Sequence, residues 1–247
     1  MANSYLDKDG LTHVWGKAKE TFALKSEIPE GAGIATSERP GIIKPSAEFD
    51  VAEDGTLSMY KKIEVTSFSV SPSSVERGST VPTVTAKWSL NKTPKTLDLN
   101  GVALSVSETS KELADNLTAD KTYTIKATDA RDATASRNAT VYFRDKRHQF
   151  VGAYDADGVT DEVINAAAGE LATSRQKSFT LNAGEGQHIY YAYPHAWGTP
   201  RFFVGGFEGG FALLKTFDHV NASGATVSYD VYKSTNAGLG STTVEVR

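Results

Sequence analysis

Hydrophobic residues near the start of the chain recur at three- and four-residue steps between Gly10 and Lys25. This spacing places them on one side of a helix, while the charged residues of the segment fall on its other sides. Asp7 and Asp9 precede the segment and are suitable N-cap residues. The pattern predicts an amphipathic helix within residues 1–26, with an apolar face formed by Leu11, Val14, Trp15, Ala18 and Phe22.

Residues 27–61 have the composition of an extended connector followed by two short strands. Proline and glycine recur between Glu27 and Pro45, which argues against a helix, and a turn is expected at Asp54-Gly55. Strands this short bury too little surface to be stable alone, so the segment predicts association of identical chains. The residues expected at that contact are Ile42, Ile43, Phe49, Val51 and Leu57.

The connector also bears on the role of the first helix. A helix of this kind either packs on its own domain or inserts its apolar face into a partner. Because a linker and not a globular body follows, the sequence favours docking onto a partner or bundling with identical chains.

Residues 62–145 contain about seven short β-rich runs separated by turn signals, which is typical of a sandwich. Asn100-Gly101 predicts a two-residue hairpin turn. Trp88 lies where an immunoglobulin-like sandwich buries an indole; the alternation around it favours a core position over a platform for stacking sugars. The segment predicts an Ig-like sandwich without a disulfide, with runs at 63–70, 81–90, 96–99, 102–106, a polar stretch to Leu117, 122–128 and 134–143.

Residues 146–247 predict a second β-rich module, of α+β or sandwich type. Thr160-Asp161-Glu162 supplies an N-cap followed by acidic first-turn residues, so a helix is expected over 161–172. The expected strands are 177–181, 188–193, 201–204, 211–217, 227–232 and 242–247.

An aromatic cluster in this module is the best binding candidate in the sequence. Strand alternation sends Tyr190 to one face and its odd-numbered neighbours to the other, and the loop 194–200 would present a tryptophan. Aromatic rings stack on sugar faces and supply contact area at low entropic cost. The candidate contacts for a glycan or protein ligand are Tyr191, Tyr193, His195 and Trp197. The favoured alternative is that these rings fill a β core or an interface between three copies.

Other constellations are weaker. The segment Asp155–Asp161 has acidic spacing similar to a calcium loop, but Ala166 stands where a bidentate Glu is required, so a turn is favoured. Gly205–Gly210 lacks the Lys-Ser/Thr of a phosphate loop and favours a hairpin. His188, His195 and His219 show no ligand spacing. The sequence therefore predicts no metal site and no cofactor.

Composition narrows the function classes. The chain has 26 basic and 30 acidic residues, a net charge of -4 and no basic stripe, so nucleic acid is not an expected partner. No apolar run approaches the ~20 residues of a membrane span, and the first residues, MANSYLDKDG, do not form a secretory signal. We expect a soluble protein made in the cytosol, without membrane insertion. The absence of cysteine and of nucleophile and zinc motifs predicts no enzymatic activity.

Four segments resemble bacteriophage structural proteins. GIIKPSAEFDVAEDGTLSM (41–59) resembles a segment of trimeric phage fibre and tail proteins, and YLDKDGLTHVWGK (5–17) resembles the N-terminal segment of many phage structural proteins. WSLNKTPKTLDLNG, followed by LTADKTYTIKATDA and ATVYF, resembles the Ig-like modules of phage tail and baseplate proteins. GQHIYYAYPHAWGTPRFFVGGFEGGF resembles a C-terminal domain of other phage tail proteins.

The resemblance implies a mainly β virion protein, assembled in the bacterial host cytoplasm. It would be a homotrimeric tail or head fibre with an anchor helix (1–26), a trimerising neck (27–61), an Ig-like domain (62–145) and a head domain (146–247). The anchor would contact other virion proteins through Leu11, Val14, Trp15 and Phe22. The alternatives are a capsid decoration or baseplate component that contacts no receptor and, less favoured because the chain lacks repeats, a glycan-cleaving tail enzyme.

Overall fold

The computed structural model describes residues 49–51 and 56–247. The described chain is mainly β, as the sequence predicts, and forms several sheets. It divides into two compact units, Met1–Lys62 and Ile63–Arg247. In the described part, no helix has the length and apolar character needed to cross a membrane. The predicted anchor residues Leu11, Val14, Trp15 and Phe22 and the neck residues Ile42 and Ile43 lie outside the described residues.

In the first unit, strands β1 (Phe49–Val51) and β2 (Leu57–Met59) form an antiparallel hairpin. The register places Phe49 opposite Met59. Because side chains alternate along a strand, Phe49, Leu57 and Met59 share one face of the hairpin. A two-stranded sheet of this size has little stability of its own in water.

The first part of the second unit, here called the middle module, is a two-sheet sandwich. Strands β3, β5 and β8 form one sheet, and β7, β6, β9 and the first half of β10 form the other. Strand β4 pairs in parallel with β10. The strands are β3 (Val65–Ser71), β4 (Ser74–Glu76), β5 (Val84–Leu90), β6 (Thr96–Leu99), β7 (Val102–Leu104), β8 (Ser110–Leu113), β9 (Lys121–Thr128) and β10 (Thr134–Gly152).

Local chemistry explains the best-predicted parts of the middle module. Asn100 and Gly101 have φ angles of 53° and 80°, the two positive values that a type I′ turn requires, and they join β6 to β7 as predicted. Trp88 on β5 is buried in the core, and its Nε1 donates a hydrogen bond to the Glu108 carbonyl at 2.9 Å. The prediction of a core tryptophan is therefore confirmed.

The rest of the second unit, the C-terminal module, also has two sheets. One contains the second half of β10, flanked by β11 on one side and by β13, β17 and β16 on the other; the second has the order β12-β18-β14-β15. Its elements are α1 (Asp161–Ala166), β11 (Ala168–Ala172), β12 (Lys177–Ala183), β13 (His188–Pro194), a 3-10 helix (His195–Trp197), β14 (Phe202–Val204), β15 (Phe207–Glu208), β16 (Phe211–Val220), β17 (Thr226–Ser234) and β18 (Gly240–Val246).

Helix α1 is shorter than the predicted 161–172. Ala167 is extended, with φ -74° and ψ 155°, and residues 168–172 then pair with Asp145–Gln149 of β10. Gly169 lies opposite His148, where an added Cβ would come within 2.7 Å of the imidazole ring. Strand pairing on the open edge of β10 thus overrides the helix preference of the alanines.

Strand β10 belongs to both modules. It has 19 residues, where the sequence predicts a strand that ends at Phe143, and at this length it spans roughly 60 Å. Its first half pairs with β9 and its second half with β11 and β13. The predicted boundary between residues 145 and 146 therefore falls inside one continuous strand.

Polar contacts reinforce the passage from one module to the other. We call the contacts of residues 76–79 with residues 145–146 and 221–225 the module joint. The Arg77 guanidinium donates to both Asp145 oxygens at 2.8 and 3.2 Å, and Lys146 Nζ lies 3.0 Å from Glu76. Asn221 Nδ2 donates to the Arg77 carbonyl at 2.8 Å. The Asn221 bond fixes the turn between β16 and β17 against the middle module, and the two ion pairs bind residues 76 and 77 to β10.

We expect Gly78→Ala to destabilise the protein more than Gly101→Ala. Both glycines have positive φ, which costs about 1 kcal/mol for an alanine. A Cβ at Gly78 would also lie 2.8 Å from the Ser223 carbonyl oxygen, whereas a Cβ at Gly101 meets nothing within 4 Å. Urea unfolding should give a loss of about 3 kcal/mol for the first variant and about 1 kcal/mol for the second. Equal losses would contradict a tightly packed module joint.

Candidate functional site

The loop of residues 194–200, which follows β13, is the part of the predicted aromatic cluster that reaches the surface. A 3-10 turn over His195–Trp197 closes with the Gly198 N–H donating to the His195 carbonyl at 3.0 Å. His195 is exposed, and Trp197 is half-buried. The loop is carried on a rigid strand, a common arrangement for contact residues.

Tyr191 and Tyr193 are not surface contacts, and their assignment as such is corrected. Both are 0% exposed, because the sheet containing β12 and β18 covers their face of β13. Tyr190 lies in a second core on the opposite face, so the predicted alternation is correct. The core alternative describes these rings, and only His195 and Trp197 remain as candidate contacts.

The buried tyrosines hold the loop from below. The Tyr191 hydroxyl donates to the Arg175 carbonyl at 2.6 Å, and the Tyr193 hydroxyl donates to the Gly198 carbonyl at 2.9 Å. Burial raises the pKa of both phenols above the ordinary value, so they stay protonated donors across the physiological range. The Arg175 guanidinium in turn donates to the Trp197 carbonyl. The loop backbone is therefore fixed at two carbonyls.

His195 is held in one orientation by a buried carboxylate. Its Nδ1 lies 2.9 Å from Asp230 Oδ1, which also accepts a hydrogen bond from Thr216 Oγ1 at 2.6 Å. Because a carboxylate accepts hydrogen bonds, Nδ1 carries a proton, and in the neutral form of the ring Nε2 is an acceptor.

Trp197 completes the exposed surface. Its ring stacks on Tyr193 with centroids 6.3 Å apart and an interplanar angle of 11°. This contact fixes the indole on one side and leaves part of it at the surface. An oriented acceptor beside an indole can bind a hydroxylated or peptide ligand by stacking and hydrogen bonding, but the small area implies weak affinity per site.

The other candidates from the sequence are accounted for by local structure. Asp155 Oδ1 accepts a hydrogen bond from the Gly158 N–H at 2.7 Å, which makes the acidic segment a turn. Gly205–Gly210 forms the turns around β15. Over residues 49–51 and 56–247, no group of three or more His, Cys, Asp or Glu side chains is placed to hold a metal ion.

The three histidines considered as possible metal ligands, His188, His195 and His219, bind different residues. His188 contacts the Ser234 carbonyl, His195 contacts Asp230, and His219 contacts Asp161. His219 instead lies beside His148, with ring centroids 6.2 Å apart. Sequence reasoning missed His148 because it ended the strand at residue 143; the buried positions then shift from odd-numbered residues (Val141, Phe143) to even-numbered ones (His148, Phe150) within β10.

The described neck residues show where an intermolecular contact is possible. Phe49 is 38% exposed, Leu57 46% and Met59 71%, although all three are large and apolar. Val51 lies in β1 at the register position opposite Leu57.

We expect Tyr193→Phe to loosen the 194–200 loop. The variant keeps the packed ring but removes the hydroxyl that binds the Gly198 carbonyl, which should cost about 1 kcal/mol in urea unfolding and speed amide exchange in the loop. Tyr142→Phe is the matched control, because Tyr142 is 40% exposed and keeps its contact with Arg144 without the hydroxyl. A change below about 0.5 kcal/mol is expected there. Unaltered loop exchange in Tyr193→Phe would contradict the positioning role.

Comparisons with known proteins give little further guidance. No family model and no curated protein matches the chain. Among solved structures it is similar to the crystal structure of Down Syndrome Cell Adhesion Molecule (DSCAM) isoform 1.30.30, N-terminal eight Ig domains, at 14% identity and a TM-score of 0.22. The match covers 71% of this chain and 23% of that chain, so this chain spans less than a quarter of that protein's length. A likeness at this TM-score adds nothing to the fold described above.

Proposed function

We propose that this chain is a structural virion protein of a bacteriophage, a homotrimeric tail or head fibre that contacts the host through its C-terminal module. In this proposal residues 1–26 dock on other virion proteins, residues 27–61 join three chains, and an Ig-like middle module acts as a spacer. The resemblance of residues 41–59, 88–143 and 186–211 to phage proteins supports the identity.

The exposed hairpin is the observation that carries the assembly part of the proposal. Phe49, Leu57 and Met59 present one apolar face of a two-stranded sheet. Isolated hairpins are marginal in water, and burying each side chain contributes about 1.5–3 kcal/mol. Three copies that bury these faces against one another would stabilise a segment that is too small to be stable alone.

Strand β10 supports the spacer role. A single strand that runs through both modules, with the bonds of the module joint beside it, resists bending between them. Stiffness of this kind is useful in a fibre because it keeps a contact surface away from the particle. It does not identify a ligand.

The 194–200 loop supports a modest role in attachment. His195 and Trp197 form a small surface that suits a weak contact with a bacterial glycan or protein. Three such surfaces on one trimer would bind with a high effective concentration, so each contact can be weak. The proposal includes no cofactor, no nucleic acid and no enzymatic activity.

Burial of Tyr191 and Tyr193 favours a second candidate function. With both rings in the core, neither adds to the surface that could contact a receptor. A capsid decoration or baseplate component that touches no receptor needs no such area, and the hairpin and the continuous strand serve that role equally well.

We expect the full chain to be a trimer of about three times 26.5 kDa, and Leu57→Lys to dissociate it. The added charge would lie in the apolar face, so the dissociation constant should rise by at least about tenfold. Ser58→Lys is the control, because it adds the same charge opposite Asp50 on the other face. Light scattering and sedimentation give the masses. If the wild type is a monomer at micromolar concentration, or if the two variants dissociate to the same extent, residues 27–61 do not join three chains.

The purified chain should reduce adsorption of its phage to host cells in proportion to its concentration, and antibodies against it should label particles in electron micrographs. We expect His195→Ala and Trp197→Ala to weaken this competition several-fold, while Tyr142→Ala, on the middle module side of β10, leaves it unchanged. Labelled particles without any competition would favour the decoration or baseplate role. Particles without label would refute a virion location.

A further inference from the structure

Two histidines that no proposed function uses are buried together beside the module joint. His148 on β10 is 3% exposed and His219 on β16 is 0% exposed. Their ring centroids lie 6.2 Å apart, and Tyr229 packs against both, at 6.3 Å from His148 and 4.8 Å from His219. We call His148 and His219 the histidine pair.

The histidine pair is poorly satisfied by hydrogen bonds. His219 Nδ1 contacts Asp161 Oδ1 at 2.7 Å, but its Nε2 has no partner, and neither nitrogen of His148 has one. The Ala167 backbone lies close to His148 without the geometry of a hydrogen bond. Buried polar atoms are nearly always paired, so three unpaired nitrogens in contacting rings call for an explanation.

The groups around His148 carry no net negative charge that could compensate a proton on its ring. On its own strand stands Lys146, and on β4 stands Glu76, which bind each other at 3.0 Å. From β17 comes Tyr229, a phenol whose pKa burial raises. From β11 comes only the backbone at Gly169.

The remaining charges near the histidine pair are also engaged. Asp161 of α1 is bound to His219 and to the Val220 N–H at 3.0 Å. Asp145 of β10 is bound to the Arg77 guanidinium. Burial and then the nearby His219 ring lower the pKa of His148 from 6.5 to about 4. A proton on His148 would therefore be an uncompensated buried charge.

The histidine pair is connected to the module joint through short segments. Two residues after His219, Asn221 donates to the Arg77 carbonyl at 2.8 Å. Two residues before His148, Lys146 binds Glu76, which also accepts a hydrogen bond from Ser223 Oγ at 3.2 Å. Displacement of either ring would thus move a residue that holds the two modules together.

We propose that His148, packed against His219, makes the module joint acid-sensitive: proton uptake by His148 opens the contacts of residues 76–79 with the 221–225 turn. At neutral pH the packed, neutral His148 ring keeps the joint closed. In mild acid most molecules stay closed with His148 neutral, but the small population of open molecules, in which water reaches the imidazole and protonates it, increases. This inference does not depend on the proposed function.

The direction of the pKa change determines whether the protein is more or less stable in acid. A histidine whose folded-state pKa is lowered contributes stability that is complete above its ordinary pKa of 6.5 and is lost as pH falls toward about 4. Between pH 7.5 and 5.5, linkage predicts that the equilibrium constant for opening rises about tenfold. Carboxylates as a class titrate mostly below this window. A change between pH 7.5 and 5.5 can therefore be assigned to histidine protonation and separated from carboxylate protonation.

The test is amide hydrogen exchange of the full chain at pH 7.5 and 5.5, corrected for intrinsic exchange rates. Opening of residues 76–79 and 219–225 should rise about tenfold in the wild type and in the control His195→Leu, which changes an exposed histidine. The rise should disappear in His148→Leu. No rise in the wild type, or an undiminished rise in His148→Leu, would overturn the proposal.

Two further measurements keep the proposal testable if His148→Leu does not fold. In wild-type protein, NMR titration of the imidazole protons should show one histidine, assigned to His148, that stays neutral down to pH 5. A His148 resonance that titrates near 6.5 would overturn the proposal. The Glu76→Gln variant should retain the tenfold rise in opening between pH 7.5 and 5.5. If the rise is lost in this variant, the pH effect belongs to the Glu76 carboxylate and not to the histidine pair.

Discussion

The fold depends on one strand that two sheets share. Because β10 pairs with β9 along its first half and with β11 and β13 along its second, each module supplies part of the hydrogen bonding that keeps the strand extended. An unpaired strand of this length would expose many backbone groups, so folding of one module prepares an edge on which the other can form. Rigidity between the modules is a direct result of this shared pairing, and it requires no large apolar interface.

Burial of both faces of strand β13 limits the surface with which the C-terminal module can bind a partner. Strand β13 is covered on both faces, by one core around Tyr191 and Tyr193 and a second around Tyr190. A strand that is apolar on both faces has to be central, and a central strand cannot present a binding surface. Its contribution to the 194–200 loop is therefore indirect: the Tyr193 hydroxyl donates to the Gly198 carbonyl from inside, and the Tyr191 hydroxyl holds the backbone of Arg175, whose guanidinium donates to the Trp197 carbonyl.

How much of this could be predicted from the sequence depended on how local each signal was. The turn at Asn100-Gly101, the core position of Trp88 and the alternation of Tyr190 and Tyr191 follow from two or three neighbouring residues, and all were predicted correctly. The end of α1 and the continuation of β10 depend on pairing between distant segments, and both were predicted incorrectly. Strand β8 was missed for the same reason, since its polar residues have strand geometry only because β5 offers them a partner.

The module joint is held by polar contacts, and this makes its stability depend on charge and pH. A wide apolar interface would hold the modules together across a broad pH range, because burial of hydrocarbon does not depend on protonation. Here Arg77, Asp145, Lys146 and Glu76 form directional contacts whose strength depends on position and charge. Directional contacts of this kind fix one relative orientation and fail together once one of them moves. Placing the buried His148 imidazole, which has no hydrogen-bond partner, behind such a joint makes its closed state depend on proton concentration, whereas β10, held by backbone hydrogen bonds, still connects the modules when the joint opens.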